Sequence, residues 1–176
     1  MTGTQGAILM RYDAMREAAL LDAAARLRSP GAAAVELTTI NPAALHAWEH
    51  QWIARQGQPG GWNWRDQTRR LQPTLNRFEV AIWSGPTLCG LAIGKPSRGA
   101  SHLAVQLLEG SPNTGHPLRG RIAECVTVAA ASYARLLGKA QIRLIRPLPG
   151  ALPIYRRLGF EIAPEGAKPP YCYLEL

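Results

Sequence analysis

Residues 116–125 read HPLRGRIAEC: a proline, two arginines and one glycine running into an apolar-periodic segment at Ile122. This is the pattern of an anion-binding loop that enters a helix, where free backbone N–H groups meet the positive end of the helix dipole. Arg119 and Arg121 add guanidinium groups, which bind phosphate oxygens in pairs. The competing reading is two surface arginines at a helix start in an arginine-rich chain. Glu109 closes a predicted strand, and ligands of α/β sheets favour the carboxyl ends of strands. Its carboxylate is therefore either a general base or a strand-end charge with no function.

Three further patterns have chemistry in them. HAWEH at 46–50 matches the H-x-x-E-H zinc signature, with both imidazoles on one helix face. A catalytic zinc needs a third protein ligand, and no second acidic motif is set up on a helix downstream, so no metal is read from it. WNWRDQTRR interleaves Trp62 and Trp64 with Arg65, Arg69 and Arg70. That composition suits stacking and phosphate contacts to RNA, and equally an amphipathic helix with a solvated basic face. Cys89, Cys125 and Cys172 form no C-x-x-C pair, which excludes a cysteine-based zinc site and a disulfide framework. Cys125 lies on the apolar face of its helix and is read as packing.

The elements that must position these residues are legible in outline. RYDAMREAALLDAAARLR (11–28) is an alanine-rich helix stopped by SPG, and AAVELTTI a first strand. NPAALHAWEHQWIARQG opens on Asn41 as N-cap with Pro42 behind it and closes at Gly57, with Trp48 and Trp52 read as core. The glycine-rich GQPGG (57–61) is a turn, followed by a shorter helix from WNWRDQTRRLQPTL. RFEVAIW, SGPT and LCGLAIG form a hairpin, with Phe78, Val80 and Ile82 on one face. HLAVQLLE alternates Leu103, Val105 and Leu107 as a third neighbouring strand. Ile122, Cys125, Val126, Ala129, Tyr133, Leu136 and Leu137 keep a helical period up to Gly138. QIRLIRP, the helix GALPIYRRLGF, FEIA and YCYLEL complete the chain.

The order predicts one α/β domain over residues 1–176: a mixed, mostly antiparallel central sheet flanked by helices, with 102–146 as a βαβ crossover. Residues 1–30 form an extra N-terminal helical extension on a core of 33–176. Hydrophobic residues make up 47% and charged residues 18% of 176 residues, which excludes a disordered chain. The net charge of +8 comes from 17 arginines against 3 lysines and favours anionic partners without choosing among them. No apolar run is long enough for a signal-peptide core or a membrane span, so a cytoplasmic setting is expected.

Residues 33–176 resemble the GNAT family of acyl-CoA N-acyltransferases. RFEVAIWSGPTLCGLAIG is similar to the family's central hairpin. HLAVQLLE…HPLRGRIAECVTVAAASYARLLGK looks like its fourth strand, pyrophosphate loop and cofactor-binding helix. LPGALPIYRRLGFE resembles the helix in which a tyrosine precedes LGF.

The resemblance implies acetyl-CoA, or another acyl-CoA, as donor and an amine of a small molecule, protein or peptide as acceptor. It places Leu107, Leu108, Arg119, Gly120, Arg121, Ile122 and Ala123 against the cofactor. Tyr155 becomes the proton donor to the departing thiolate, or else a half-buried packing aromatic, and Glu109 the base for the amine. His46, Glu49 and His50, on the early helices that border the family's acceptor pocket, become acceptor contacts. The chain departs from the family pattern at two places. The loop Arg/Gln-x-x-Gly-x-Gly/Ala falls on Leu118, Arg121 and Ala123, or with one deletion brings Gly120 into the glycine position. The asparagine seven residues before the tyrosine is Leu148. Two alternatives accordingly stand beside the enzyme: an acetyltransferase acting on a nucleic-acid-linked amine such as aminoacyl-tRNA, and a non-catalytic GNAT-like binding or regulatory module. The extra first helix offers a surface for a homodimer.

Overall fold

A computed structural model describes residues 3–53 and 61–176. The expected helix stop at Gly57 lies outside them, as does most of the turn at 57–61. The chain runs α1 (Gly3–Arg26), β1 (Glu36–Thr38), α2 (Pro42–Gln51), α3 (Trp64–Leu71), β2 (Phe78–Ser84), β3 (Thr87–Pro96), β4 (His102–Gly110), α4 (Ile122–Leu136), β5 (Gln141–Ile145), α5 (Leu152–Arg157), β6 (Glu161–Ile162) and β7 (Tyr171–Glu175). The seven strands form one sheet in the order β1-β2-β3-β4-β5-β7-β6. Only β4 and β5 are parallel, joined by the α4 crossover, so the mixed, mostly antiparallel sheet agrees with the sequence reading.

Local chemistry accounts for the helix ends. The Asn41 side chain accepts from the Ala44 N–H at 2.9 Å, and Pro42 follows at the first turn. Asn63 caps α3 in the same way, accepting from the Asp66 N–H at 3.1 Å. The first helix begins at Gly3, eight residues before the alanine-rich stretch suggested, and takes in Gln5, Ala7, Leu9 and Met10, which have good helical propensity, despite Gly3 and Gly6.

The sheet separates two layers of core. On one side α1 and α4 lie together over Phe78, Val80, Ile82, Leu103 and Val105. Alanines on both helices, among them Ala19, Ala23, Ala130 and Ala134, are fully or almost fully buried and let the helix axes approach closely. Polar ties hold α1 in place. Arg16, 2% exposed, donates to the carbonyls of Leu75 and Arg77 at 3.0 Å each, pairs with Asp13 and faces Glu79. Ser132 of α4 donates to Asp22 at 2.7 Å. On the other side α2 and α3 cover Ala81, Leu88, Leu91 and Ile93 with Trp48, Trp52 and Trp64. The Trp52 indole donates to the Leu88 carbonyl at 3.0 Å, fixing the end of α2 to β3.

Strands β3 and β4 both depart from simple alternation, β3 at Cys89 opposite β2 and β4 beside the cleft. The β3–β4 register runs Ile93↔Leu107 and then Gly94↔Val105, leaving Gln106 as an extra residue on β4. Beyond this bulge the faces exchange: Leu103 and Val105 pack on the α4 side and Leu107 on the α3 side, with Leu108 turned back toward α4. The expected Leu103–Val105–Leu107 face is thus broken after Val105, because one inserted residue inverts a period of two. The bulge requires a glycine opposite it. A Cβ on Gly94 would stand 2.2 Å from the Ala104 carbonyl oxygen.

Candidate active site

Strands β4 and β5 pair only from His102↔Gln141 to Val105↔Leu144. Beyond that, β4 stays with β3 as far as Gly110 and β5 stays with β7 as far as Ile145↔Tyr171. The parallel pair therefore splays from Gln106 onward, and the β5-facing edge of β4 has no strand beside it. A cleft of about 350 Å³ fills the gap, lined by Gln106, Leu107, Leu108, Glu109, Leu144, Ile145, Leu148 and Tyr155 among others.

Glu109 of β4 and Tyr155 of α5 both line this cleft. Glu109 is 6% exposed, and its Oε2 accepts from the buried Trp64 indole N–H at 2.8 Å. Trp64 is itself fully buried, so α3 fixes the carboxylate from the far side of the sheet. Tyr155 stands on α5 and is half-buried, edge-on to Phe160 at 6.0 Å. Burial pushes its phenol above the ordinary tyrosine value, with a smaller contribution from Cys172. The phenol is therefore protonated at neutral pH.

The start of α4 stands at the end of β4. A Cβ on Gly110 would lie 3.6 Å from Ile122 Cγ1, and one on Gly90 2.7 Å from Ile122 Cγ2. The helix has Arg121 at its N-cap with no side-chain cap. The N–H groups of its first turn, from Ile122, Ala123 and Glu124, thus lack the partner a serine or aspartate would give. The loop ahead of it is wound into successive turns, with the Arg119 N–H on the His116 carbonyl at 3.2 Å and the Arg121 N–H on the Leu118 carbonyl at 3.0 Å. Gly120 has φ +82, which favours glycine, and no atom stands within 4 Å of its Cβ direction.

The two loop arginines separate. Arg119 is exposed, with only a long contact of 3.4 Å to the Thr114 carbonyl. Arg121 turns back: its Nε donates to Glu124 at 2.9 Å and its Nη2 to the Leu27 carbonyl at 3.3 Å, tying α4 to the end of α1. Leu118, at the family's Arg/Gln position, is fully buried in the core. His116 is buried beneath the loop, and burial lowers its pKa, helped by Arg119.

The acceptor side differs most from expectation. His46 and His50 are exposed on α2 with ring centroids 4.0 Å apart, and the His50 Nδ1 lies 2.8 Å from the His46 carbonyl. Glu49 takes both Nε and Nη2 of Arg65, the latter at 2.9 Å, and this pairing holds its carboxyl below the usual range. None of the three lines the cleft or the pocket that continues it, because Ala44, Ala47 and Trp48 occupy the inward face of α2. Instead α3 borders the space that continues the cleft. There a pocket of about 540 Å³ is lined by Gln67, Arg70, Thr74 and Lys95 and shares Trp62, Gln106, Leu107, Ile145, Arg146 and Leu148 with the cleft. These residues are dispersed over the sequence and have no motif. The one cue was WNWRDQTRR, whose Trp62 and Arg70 do reach the pocket and whose Trp64 holds Glu109.

No protein-family model and no curated protein sequence matches the chain. Solved structures do. An acetyltransferase of the GNAT family from Staphylococcus aureus superposes with a TM-score of 0.60 at 12% identity, covering 81% of this chain and 99% of its own. The PaiA N-acetyltransferase from Thermoplasma acidophilum, crystallised with coenzyme A, gives 0.56 at 13%, with 81% and 99% covered. The ribosomal-protein-S18-alanine N-acetyltransferase from Escherichia coli gives 0.58 at 12%, with 80% and 93% covered. The chain has the GNAT fold. Within that fold the splayed β4–β5 pair and the start of α4 occupy the positions expected from the sequence, while α3 rather than α2 borders the pocket beside the cleft. Among the described residues no helix is long and apolar enough to cross a membrane.

Proposed function

We propose that the protein is an acyl-CoA-dependent N-acyltransferase, with acetyl-CoA as donor and an amine as acceptor. The observation that carries the reading is the gap between β4 and β5, with Glu109 and Tyr155 on its walls and an uncapped helix start at its end. The residues present fit the donor. The first-turn N–H groups of α4, the open side of Gly120 and the exposed Arg119 suit a diphosphate, while Leu107 and Leu108 suit the apolar arm beside a free strand edge. Structural neighbours named as N-acetyltransferases, one of them with coenzyme A, support the same assignment.

The bound donor supplies a thioester, whose C–S bond is exchanged for the C–N bond of an amide. In this reading Glu109 accepts the proton given up by the amine, directly or through a water, and the Trp64 N–H keeps its carboxylate aimed. Tyr155 gives its phenolic proton to the sulfur and is reprotonated by solvent, so that an amide and a free thiol leave. The donor and acceptor are held together by the cleft, which replaces a bimolecular encounter by positioning. Thermal unfolding with and without acetyl-CoA, together with mass spectrometry of copurifying acyl-CoA, tests the assignment. A raised melting temperature is expected, and no shift at millimolar CoA overturns it.

A further inference from the structure

The pocket on the α3 side has a charge pattern that nothing in the acyl-transfer reading requires. Arg70 from α3, Lys95 from the end of β3 and Arg146 from the residue after β5 all line it, and no aspartate or glutamate does. All three are exposed, and among the described residues none of them forms an ion pair. This contrasts with their neighbours on α3, since Arg65 pairs with Glu49 and Arg69 with Asp66. Three like charges around one concavity repel each other unless an anion lies between them.

The third cation is set there by an unusual backbone. Arg146 has φ +50, the only non-glycine residue with positive φ among the described residues. Its N–H is held by the Pro170 carbonyl at 2.8 Å. A non-glycine residue in this region persists where its surroundings hold it, and such residues cluster at binding sites. Trp62, 41% exposed, adds a flat aromatic wall. The donor's diphosphate does not account for Arg70 and Lys95, because its expected place is at the start of α4 and neither residue lines the cleft; Arg146 lines both the cleft and this pocket.

We propose that the acceptor amine carries an anionic group, a carboxylate or a phosphate, received by Arg70, Lys95 and Arg146 while the amine lies at the seam beside Gln106. The volume of about 540 Å³ matches a small molecule. The inference rests on the acyl-transfer reading for which end of the molecule reacts, and on the pocket alone for its charge.

The test follows CoA release with acetyl-CoA at saturation across matched acceptor pairs: amino acids against their amides, and O-phosphoethanolamine against ethanolamine. The anionic member of a pair is expected to show the higher kcat/KM. In Arg70→Gln and Lys95→Gln its KM should rise about tenfold, as for loss of a charged hydrogen bond, with kcat little changed and the neutral member unaffected. Which pair responds tells carboxylate from phosphate. Preference for neutral or cationic amines, or an unchanged KM in both variants, overturns the inference and leaves acyl transfer standing. Turnover confined to aminoacyl-tRNA, with affinity falling steeply between about 50 and 200 mM salt, overturns it in favour of a nucleic-acid acceptor. Absence of turnover with every amine counts against acyl transfer, and calorimetric binding then decides the pocket. Binding of the acid weakened about tenfold in Arg70→Gln supports the anion site, and equal binding of acid and amide overturns it.

Discussion

The two ends of the cleft are made of different material. At the α4 end the groups available to a ligand are mostly backbone: first-turn N–H groups, a glycine with positive φ, and the exposed guanidinium of Arg119. At the α3 end they are side chains, contributed by Trp62, Arg70, Lys95 and Arg146 from widely separated parts of the chain. A backbone site depends on where a helix begins and on which side a loop is open, so it can persist when its motif has nearly vanished. A side-chain site depends on identities, and here it has them without any spacing that a motif could capture. Between the two lie Glu109 and Tyr155, where either end would have to deliver its ligand.

The largest expected effect is at that junction. Glu109→Gln should lower kcat by on the order of a hundredfold, the usual range for loss of a general base. The Trp64 indole can still donate to an amide oxygen, so the melting temperature should hold, and a steady-state rate assay beside a thermal melt reads both. Tyr155→Phe should cost about tenfold in kcat. Because burial raises the phenol above its ordinary value of about 10, a rate that depends on the Tyr155 proton should fall only as the phenol ionises above that pH. The phenylalanine variant should lack this alkaline limb in a pH–rate profile, and an identical limb would remove Tyr155 from the proton transfer.

The loop arginines separate binding from folding. Arg119→Ala should raise KM for acetyl-CoA several-fold with little change in melting temperature, since its contact with the Thr114 carbonyl is exposed and long at 3.4 Å. Arg121→Ala should instead cost about 1 kcal/mol in chemical denaturation, having lost its bonds to Glu124 and the Leu27 carbonyl, and change KM little. The reverse pattern would move the diphosphate contact from Arg119 to Arg121. The smallest effect is from pH. His116 and His102 both have pKa values lowered by burial, so the unfolded chain binds more protons than the folded one below about pH 6.5. Stability should therefore decline as the pH falls through that window and flatten once the folded imidazoles are protonated. His116→Leu should show a shallower decline in melts taken from pH 7 downward.

What could be read from the sequence follows from how local each signal was. The hairpin at 78–96 and the helix from Ile122 are written in nearest-neighbour patterns, two-residue alternation and the i, i+3, i+4 rule, and both are present as expected. The bulge at Gln106 was invisible, because the insertion is defined by pairing with Gly94 on another strand. Leu107 was consequently assigned to the wrong face of β4. His46, Glu49 and His50 were expected at the acceptor because α2 borders it in related folds. Their own helix turns them outward, since its apolar residues Ala44, Ala47 and Trp48 claim the inner side. The pull of Leu27 on Arg121 is a contact across 94 positions, beyond any local pattern. Arg146 gave no sign, since a left-handed backbone at an arginine is imposed by tertiary surroundings.

The splay of β4 from β5 has a kinetic consequence. On the proposed reading, the cleft and the pocket beside α3 join along Gln106 and Leu107, so the two ligands occupy adjoining spaces and neither must leave before the other arrives. A reaction run through such a passage forms a complex of both substrates with the protein, without a covalent relay through a side chain. Double-reciprocal plots at several fixed concentrations of the second substrate should then intersect, and not run parallel.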